Sequence, residues 1–306
     1  MRFAAGGDAV IEVATEVAET LAAGGAVVAL ETTLVAHGFP RGEGLEVAVE
    51  AERRVRAGGA VPATVGVLGG AVRVGLSAEE LERFALAGEQ APKAGPRDLA
   101  ARAAQGALGA TTVGGTLAAC AVVGIRFVGT GGIGGVHRGF AERPDVSADL
   151  GELARVRACV VCSGVKSLLD VDATLEALET LGVPVLGWQT ETLPLFYSAE
   201  GGPPVPIRVD SAAEAAVVAN GHWQLGRGGL VLARPPAESV DVEPLLEAAL
   251  ASAAAAGVSG QAVTPFVLAR VHAGSPASIE LNKRLIADNA ELAAEVAVAF
   301  AASRGR

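Results

Sequence analysis

Of the 24 basic residues in this chain, only Lys93, Lys166 and Lys283 are lysine; the rest are arginine. Arginine stays charged and cannot act as an amine nucleophile, whereas lysine loses its proton when desolvated and can form a Schiff base. In "VVCSGVKSLLDV" Lys166 follows an apolar run that reads as a buried strand. It is therefore either a surface charge supporting a helix start or a nucleophile at a strand end. At a reference pKa of about 10.4, roughly one lysine in a few thousand is neutral at pH 7, and a pKa of about 7–8 raises that share to a tenth or a half.

Other groups able to do chemistry also follow apolar runs. Glu31 lies in "LETTLVAHGFP", and Thr130 and His137 lie in "GTGGIGGVHRG". The glycines of the latter segment suit an anion cradle of backbone N–H groups, although it matches neither the dinucleotide fingerprint nor the Walker lysine spacing. In "RPDVSADLGEL", Ser147 can cap a helix with Asp149 in its first turn, while Asp145 and Asp149 are also hard oxygen ligands suited to Mg²⁺ or Mn²⁺. Lys93 precedes "AGPRDLAARAA", in which Pro96 fits a first helical position; a lysine beside a helix N-terminus suggests an anion bound with it. Thr111 and Thr112 open another helix in "GATTVGGTLAA", as caps or as groups facing a ligand. The C-x-x-C of Cys159 and Cys162 invites a metal or redox reading, but in a strand these positions point to opposite faces, and with Cys120 they read as core.

Elements of two periods must position these groups. Strands are expected at 26–32, 60–68, 125–130, 158–164, 183–188 and 229–235. Helices are expected at 44–58, 77–87, 97–105, 112–123, 171–181, 211–224, 242–255 and 276–303. Apolar strands alternating with helices imply an α/β fold, a three-layer αβα sandwich around a largely parallel, mixed sheet. Gly69-Gly70 reads as a hairpin turn adding an antiparallel pair, and "SAEE" at 77–80 as a capping box. No linker or repeat divides residues 1–306, which are expected to form a single domain. In such sheets ligands bind beyond the carboxyl ends of the strands, where Glu31, Thr130, His137 and Lys166 fall.

A net charge of −10 without a basic cluster argues against a nucleic-acid partner. No apolar run reaches a membrane span, and acidic residues interrupt the N-terminal stretch where a secretory core would be, so a cytoplasmic location is expected.

Taken together, "ALETTLVAHGFP", "AVPATVGVLGGAVRVGLS", "GATTVGGT", "TGGIGGVHRG", "DVSADL", "CSGVKSLLD", "PVLGWQTETLPLFY" and "VTPFVLARV" resemble, in order and over nearly the whole chain, the pseudouridine-5′-phosphate glycosidases of the indigoidine synthase A-like family. The resemblance implies reversible cleavage of pseudouridine 5′-phosphate to uracil and ribose 5-phosphate, one divalent ion per subunit, usually Mn²⁺, and a homotrimer. It places the proton donor on Glu31, the nucleophile on Lys166 and the metal ligand on Asp145. Substrate contacts fall on Lys93, Thr112, Val113, Ser147, Ala148 and Asp149, with Thr130, His137 and Asn289 where the family has polar groups. The chain departs from the family at Thr32, commonly serine, and in the loop 37–44.

The chemistry accounts for the residue types. A C-nucleoside has no heteroatom leaving group of the kind an ordinary glycosidase protonates. An amine attacking C1′ of an opened ribose supplies an electron sink, and an acid can then protonate the departing uracil carbon. Lys166, Glu31 and Asp149, the last moving protons at the ribose ring oxygen, match that demand, with Lys93 as a point charge for the phosphate. Two other readings share some of these residues: an aldolase-like Schiff-base lyase, and a non-catalytic nucleotide-binding protein.

Overall fold

The computed structural model describes residues 10–304 except 41, 143 and 259. The first nine residues of the N-terminal stretch, Arg41 of the loop 37–44 and Arg143 ahead of Asp145 lie outside the described residues.

The strands are, in chain order, β1 (Ile11–Val13), β2 (Val27–Glu31), β3 (Val61–Leu68), β4 (Ala71–Val74), β5 (Lys93–Ala94), β6 (Gly109–Thr111), β7 (Phe127–Gly129), β8 (Val136–His137), β9 (Cys159–Cys162), β10 (Leu169–Asp170), β11 (Val185–Trp188), β12 (Ile207–Val209) and β13 (Leu230–Ala233). The main sheet runs β1-β4-β3-β2-β7-β9-β13-β11-β12. Its pairs are parallel except β3 with β4; β6, which carries β5 on its other edge, also joins β3 antiparallel. A separate antiparallel ribbon joins β8 to β10. Every residue of β2, β9 and β13 is buried, as expected of β-branched and apolar strands covered on both faces.

Helices form the outer layers of this three-layer αβα arrangement. Glu43–Ala57 and Ala212–Gln224 each pack against the long Pro276–Arg304, which runs across β2, β7 and β9. Val113–Val123 packs on β2 and β3 and against Ala148–Arg155. The expected hairpin is present: Leu68 pairs with Ala71, and Gly69 and Gly70 have φ of +63° and +90°, a conformation that side chains other than glycine's resist. So is the capping box, with Ser77 and Glu80 exchanging bonds.

Element ends shift by one or two residues from expectation, and one of these shifts bears on a site residue. The helix expected from residue 97 begins at Leu99, so Pro96 is not its first residue. The Asp98 carboxylate accepts the Gly95 N–H at 2.9 Å, closing a turn ahead of the helix, and Lys93 stands in a strand rather than at a helix N-terminus. The three cysteines are free and buried, and burial pushes the Cys120 and Cys159 thiols up to about 12 and that of Cys162 up to about 11. They are unreactive core residues. Among the described residues no helix is long and apolar enough to cross a membrane.

Candidate active site

Because β2, β7 and β9 are parallel neighbours, their carboxyl ends share one rim. β2 ends on Glu31, β7 is followed by Thr130, and β9 leads through Ser163 and Gly164 to Lys166. Gly164 has φ of +90°, and a Cβ there would lie 2.1 Å from the Pro194 carbonyl oxygen, so only glycine makes the turn that delivers Lys166. The Lys166 N–H donates to the Ile133 carbonyl at 3.1 Å, and its own carbonyl accepts from Leu169 N–H at 2.9 Å. Lys166 therefore leaves a pinned turn; the next helix begins only at Val171.

Glu31 is 2% exposed. Its Oε1 accepts from Thr130 Oγ1 at 2.6 Å, and its Oε2 is buried with no hydrogen-bond partner. Burial is the largest influence on this carboxyl and pushes its pKa up. The positive charge of Lys166 and the Thr130 bond oppose that, the Asp149 charge adds to it, and the Lys93 charge is the smallest counterweight. Lys93 is pushed down to about 8, chiefly by burial and next by Lys166, against the pull of Glu31 and Asp149.

Asp149 lies in the first turn of Ala148–Arg155, whose cap is Ser147: Ser147 Oγ accepts the Asp149 N–H at 3.2 Å. Its Oδ1 accepts from Gly114 N–H and its Oδ2 from Gly134 N–H, each at 2.8 Å. The carboxylate thus ties the glycine turn after β7 to the start of Val113–Val123. A Cβ on Gly134 would stand 2.3 Å from Ser147 Oγ and 2.7 Å from Asp149 Oδ2, which explains the glycine there. Thr112 caps the neighbouring helix, its Oγ1 accepting from Gly115 N–H at 3.2 Å.

His137 and Asp145 face each other on the two-stranded ribbon side. His137 Nε2 is 3.9 Å from Asp145 Oδ2, and the His137 N–H donates to the Asp145 carbonyl at 3.0 Å. Burial pushes the imidazole pKa down, Asp145 raises it, and Lys93 lowers it further.

A cavity of about 920 Å³ gathers Glu31, Lys93, Thr112, His137, Asp145, Ser147, Ala148, Asp149 and Lys166 in its lining. Val113, Thr130 and Asn289 are fully buried and do not line it. Thr130 acts through its bond to Glu31. Asn289, on Pro276–Arg304, donates from Nδ2 to the Thr130 carbonyl at 2.9 Å and to Ser163 Oγ at 3.1 Å, and its Oδ1 has no partner. Thr33, two residues after Glu31, also lines the cavity; its Oγ1 donates to the Thr111 carbonyl at 2.8 Å and the Ala110 carbonyl at 3.2 Å. Sequence reasoning missed Thr33, and its place in "LETT" two residues past Glu31 was the available signal. A second cavity of about 840 Å³ beside Val171–Thr180 carries only Asp172, Glu176, Glu179 and His222 as ionisable lining, without an amine, so the chemistry belongs to the first.

Among the described residues no three His, Cys, Asp or Glu side chains cluster as a ready-made metal cage. Asp145 offers one hard oxygen to the cavity, with the imidazole of His137 alongside. That donor set fits a divalent ion such as Mn²⁺ held largely by water, since such ions keep much of their hydration. An amine, a buried carboxyl with an open oxygen and a second carboxylate on one cavity can attack a carbon, deliver a proton and steady a developing charge.

Comparison with known proteins shows the family. The family model described as indigoidine synthase A like protein matches residues 16–299. A pseudouridine-5′-phosphate glycosidase of Herpetosiphon aurantiacus is 49% identical over 294 residues, covering 94% of this chain and 97% of the relative. Another, of Deinococcus radiodurans, is 46% identical and covers 95% of each. Among solved structures, the prealnumycin C-glycosynthase AlnA in complex with ribulose 5-phosphate superposes with a TM-score of 0.88 at 38% identity, covering 97% of this chain and 99% of AlnA. An indigoidine synthase A-like protein of Thermotoga maritima gives 0.85 at 36%, covering 95% and 97%. By sequence and fold alike, the chain belongs to the indigoidine synthase A-like family.

Proposed function

We propose that the protein is a pseudouridine-5′-phosphate glycosidase, reversibly converting pseudouridine 5′-phosphate and water to uracil and ribose 5-phosphate. The observation that carries the reading is the meeting of Glu31 and Lys166 on one cavity from strands β2 and β9, flanking β7. The names of the relatives support the substrate.

In this reading Lys166 Nζ bonds to C1′ as the ribose ring opens, and the ring oxygen takes up a proton with Asp149 assisting. That leaves a secondary amine at C1′, and as the bond between C1′ and uracil C5 breaks its electron pair passes to the base while the nitrogen lone pair closes the C1′=N iminium. Glu31 gives its proton to C5, and water then releases ribose 5-phosphate and restores the amine. Burial of Glu31 serves this step, because an acid whose pKa is raised keeps its proton nearer to neutral pH. Lys93, Ser147 and the glycine turn supply donors for the phosphate; Thr112 and His137 supply further polar contacts. A Mn²⁺ ion at Asp145 would contribute positive charge and ordered water beside the anionic substrate.

The test is Lys166→Arg, assayed with Mn²⁺ for uracil release. A guanidinium keeps the charge but cannot form the adduct, so turnover should be nearly abolished with the fold intact. Borohydride should trap ribose 5-phosphate on Lys166 in the wild type and not in the variant. Retention of more than about a tenth of kcat, a barrier difference of only about 1.4 kcal/mol, would rule out covalent catalysis by this residue. The likeness to AlnA favours one other reading, C–C lysis or synthesis on a different aglycone, and absence of uracil release with adduct formation intact would select it.

A further inference from the structure

We propose that Phe196 is a positioning residue for the amine of Lys166: it holds the turn that delivers Lys166 against the glycine turn after β7. The proposal rests on the reading of Lys166 as the group that bonds to the sugar.

Among the described residues Phe196 is one of two besides glycine with a positive φ, at +64°. The Tyr197 N–H donates to the Leu195 carbonyl at 2.7 Å, two residues back, so the chain reverses in a γ-turn centred on Phe196. With positive φ at its centre this is the rare, strained form of that turn, and a bulky side chain there is an outlier. Glycine would make the same turn without the steric strain. A phenylalanine in its place implies that the ring itself is used.

That ring is 5% exposed and lies on Gly132: a Cβ there would stand 2.7 Å from Phe196 Cδ2 and 2.8 Å from Cε2. The backbone of the same residue reaches the other turn. The Phe196 N–H donates to the Ser163 carbonyl at 3.0 Å, and its neighbour Leu195 bridges to Gly164. The two turns also hold each other, the Ser163 N–H donating to the Gly131 carbonyl at 2.8 Å and the Ile133 N–H to the Gly164 carbonyl at 3.1 Å. Phe196 therefore clamps both, by its backbone on the segment that leads to Lys166 and by its ring on the segment that leads to Gly134. Tyr197 fixes the clamp from behind: it is 2% exposed, its ring meets that of Phe196 edge-on at 4.8 Å, and its carbonyl accepts the Val240 N–H at 2.9 Å. Phe196 does not line the cavity, so its route to the chemistry is the backbone that carries Lys166.

The experiment measures borohydride trapping of ribose 5-phosphate on Lys166, and uracil release from pseudouridine 5′-phosphate with Mn²⁺, in wild type, Phe196→Ala and Phe300→Ala. Phe300 is as buried as Phe196 but belongs to a separate aromatic cluster with Phe127, at the amino end of β7, and Trp223, so its truncation reports the general effect of losing a core ring. Phe196→Ala should lower kcat, and the trapping rate at saturating ribose 5-phosphate, by about tenfold or more, because a displaced amine reacts slowly even with the sugar bound, while KM stays within about threefold. Phe300→Ala should leave both rates within about threefold of wild type. If alanine at 196 does not fold, Phe196→Leu takes its place with the same expectation, since leucine fills space without a flat face for Gly132. Gly132→Ala, which drives a Cβ into the ring, should slow trapping as much as Phe196→Ala does, and adding it to the Phe196 variant should slow trapping by no more than about threefold further. Equal losses in the Phe196 and Phe300 variants, a loss confined to KM, or additive losses in the double variant overturn the proposal, and trapping with uracil release by wild type then leaves the proposed function standing. Absence of an adduct on Lys166 in wild type overturns both.

Discussion

Asp149 and Glu31 line the same cavity, yet their oxygens are used differently. Each oxygen of Asp149 accepts a backbone N–H at 2.8 Å, from Gly114 and Gly134, so the group is part of the scaffold that joins two turns. Glu31 receives a single bond, from Thr130 Oγ1, and keeps one buried oxygen without a partner. The contrast teaches how one site divides labour between two identical functional groups. Backbone donors on both oxygens fix a carboxylate in space, whereas burial with an open oxygen leaves room for a proton.

The contrast breaks most sharply at Glu31→Gln. Removing the transferable proton should lower turnover by about 10²–10⁴-fold. Stability should move the opposite way. Glu31 has a folded-state pKa raised above its unfolded value, so its favourable contribution is present below the unfolded pKa and is lost as pH rises through the folded one. Glutamine stays neutral, so the Tm of Glu31→Gln should match wild type near pH 4 and exceed it increasingly towards pH 8. A constant gap would show that burial does not set this carboxyl.

Asp149→Asn should behave in reverse. An amide can face only one of the two glycine N–H groups with its oxygen, leaving the other buried donor unmatched at a cost of about 1–3 kcal/mol. Urea unfolding should show that loss at neutral pH, where Glu31→Gln shows a gain. Equal stability of Asp149→Asn and wild type would mean that the two N–H groups find other partners.

The smallest effect sharpens the comparison from the Glu31 side. Thr130→Val removes the one bond on that carboxyl, a bond that lowers its pKa. The alkaline limb of the kcat profile should therefore shift to higher pH, by less than about one unit for a bond worth about 1 kcal/mol. A shift to lower pH would contradict Glu31 as the acid.

Much of this was legible in the residues. β2, β3 and β9 are continuous β-branched or apolar runs, and the helix Ala78–Ala87 announces itself with a capping box. Glu31 and Lys166 stand out because each is a lone charge just past such a run. β5 and β10, of two residues each, carry no period to read, and they exist because β6 and β8 pair with them. The helix Val263–Gly274 escaped because "VTPFVLARV" reads as a motif without polar alternation. Thr33 and Asn289 look ordinary in the sequence; their roles arise from partners 78 and 159 residues away. Asn289 was expected at the substrate, and the structure spends both of its bonds behind the cavity wall.

Those two bonds also set a timetable for biosynthesis. A ribosome delivers Glu31, Thr130, Ser163 and Lys166 well before Asn289, which sits deep in the helix Pro276–Arg304. Until that helix docks, nothing from it holds the Thr130 carbonyl or the Ser163 hydroxyl, and the turns carrying acid and amine lack their common brace. Pairings so distant along the chain form late in folding, because loop closure precedes their reward. On the proposed function, the nascent chain would thus hold Lys166 out of register during translation, and competence would arrive only with the last long helix.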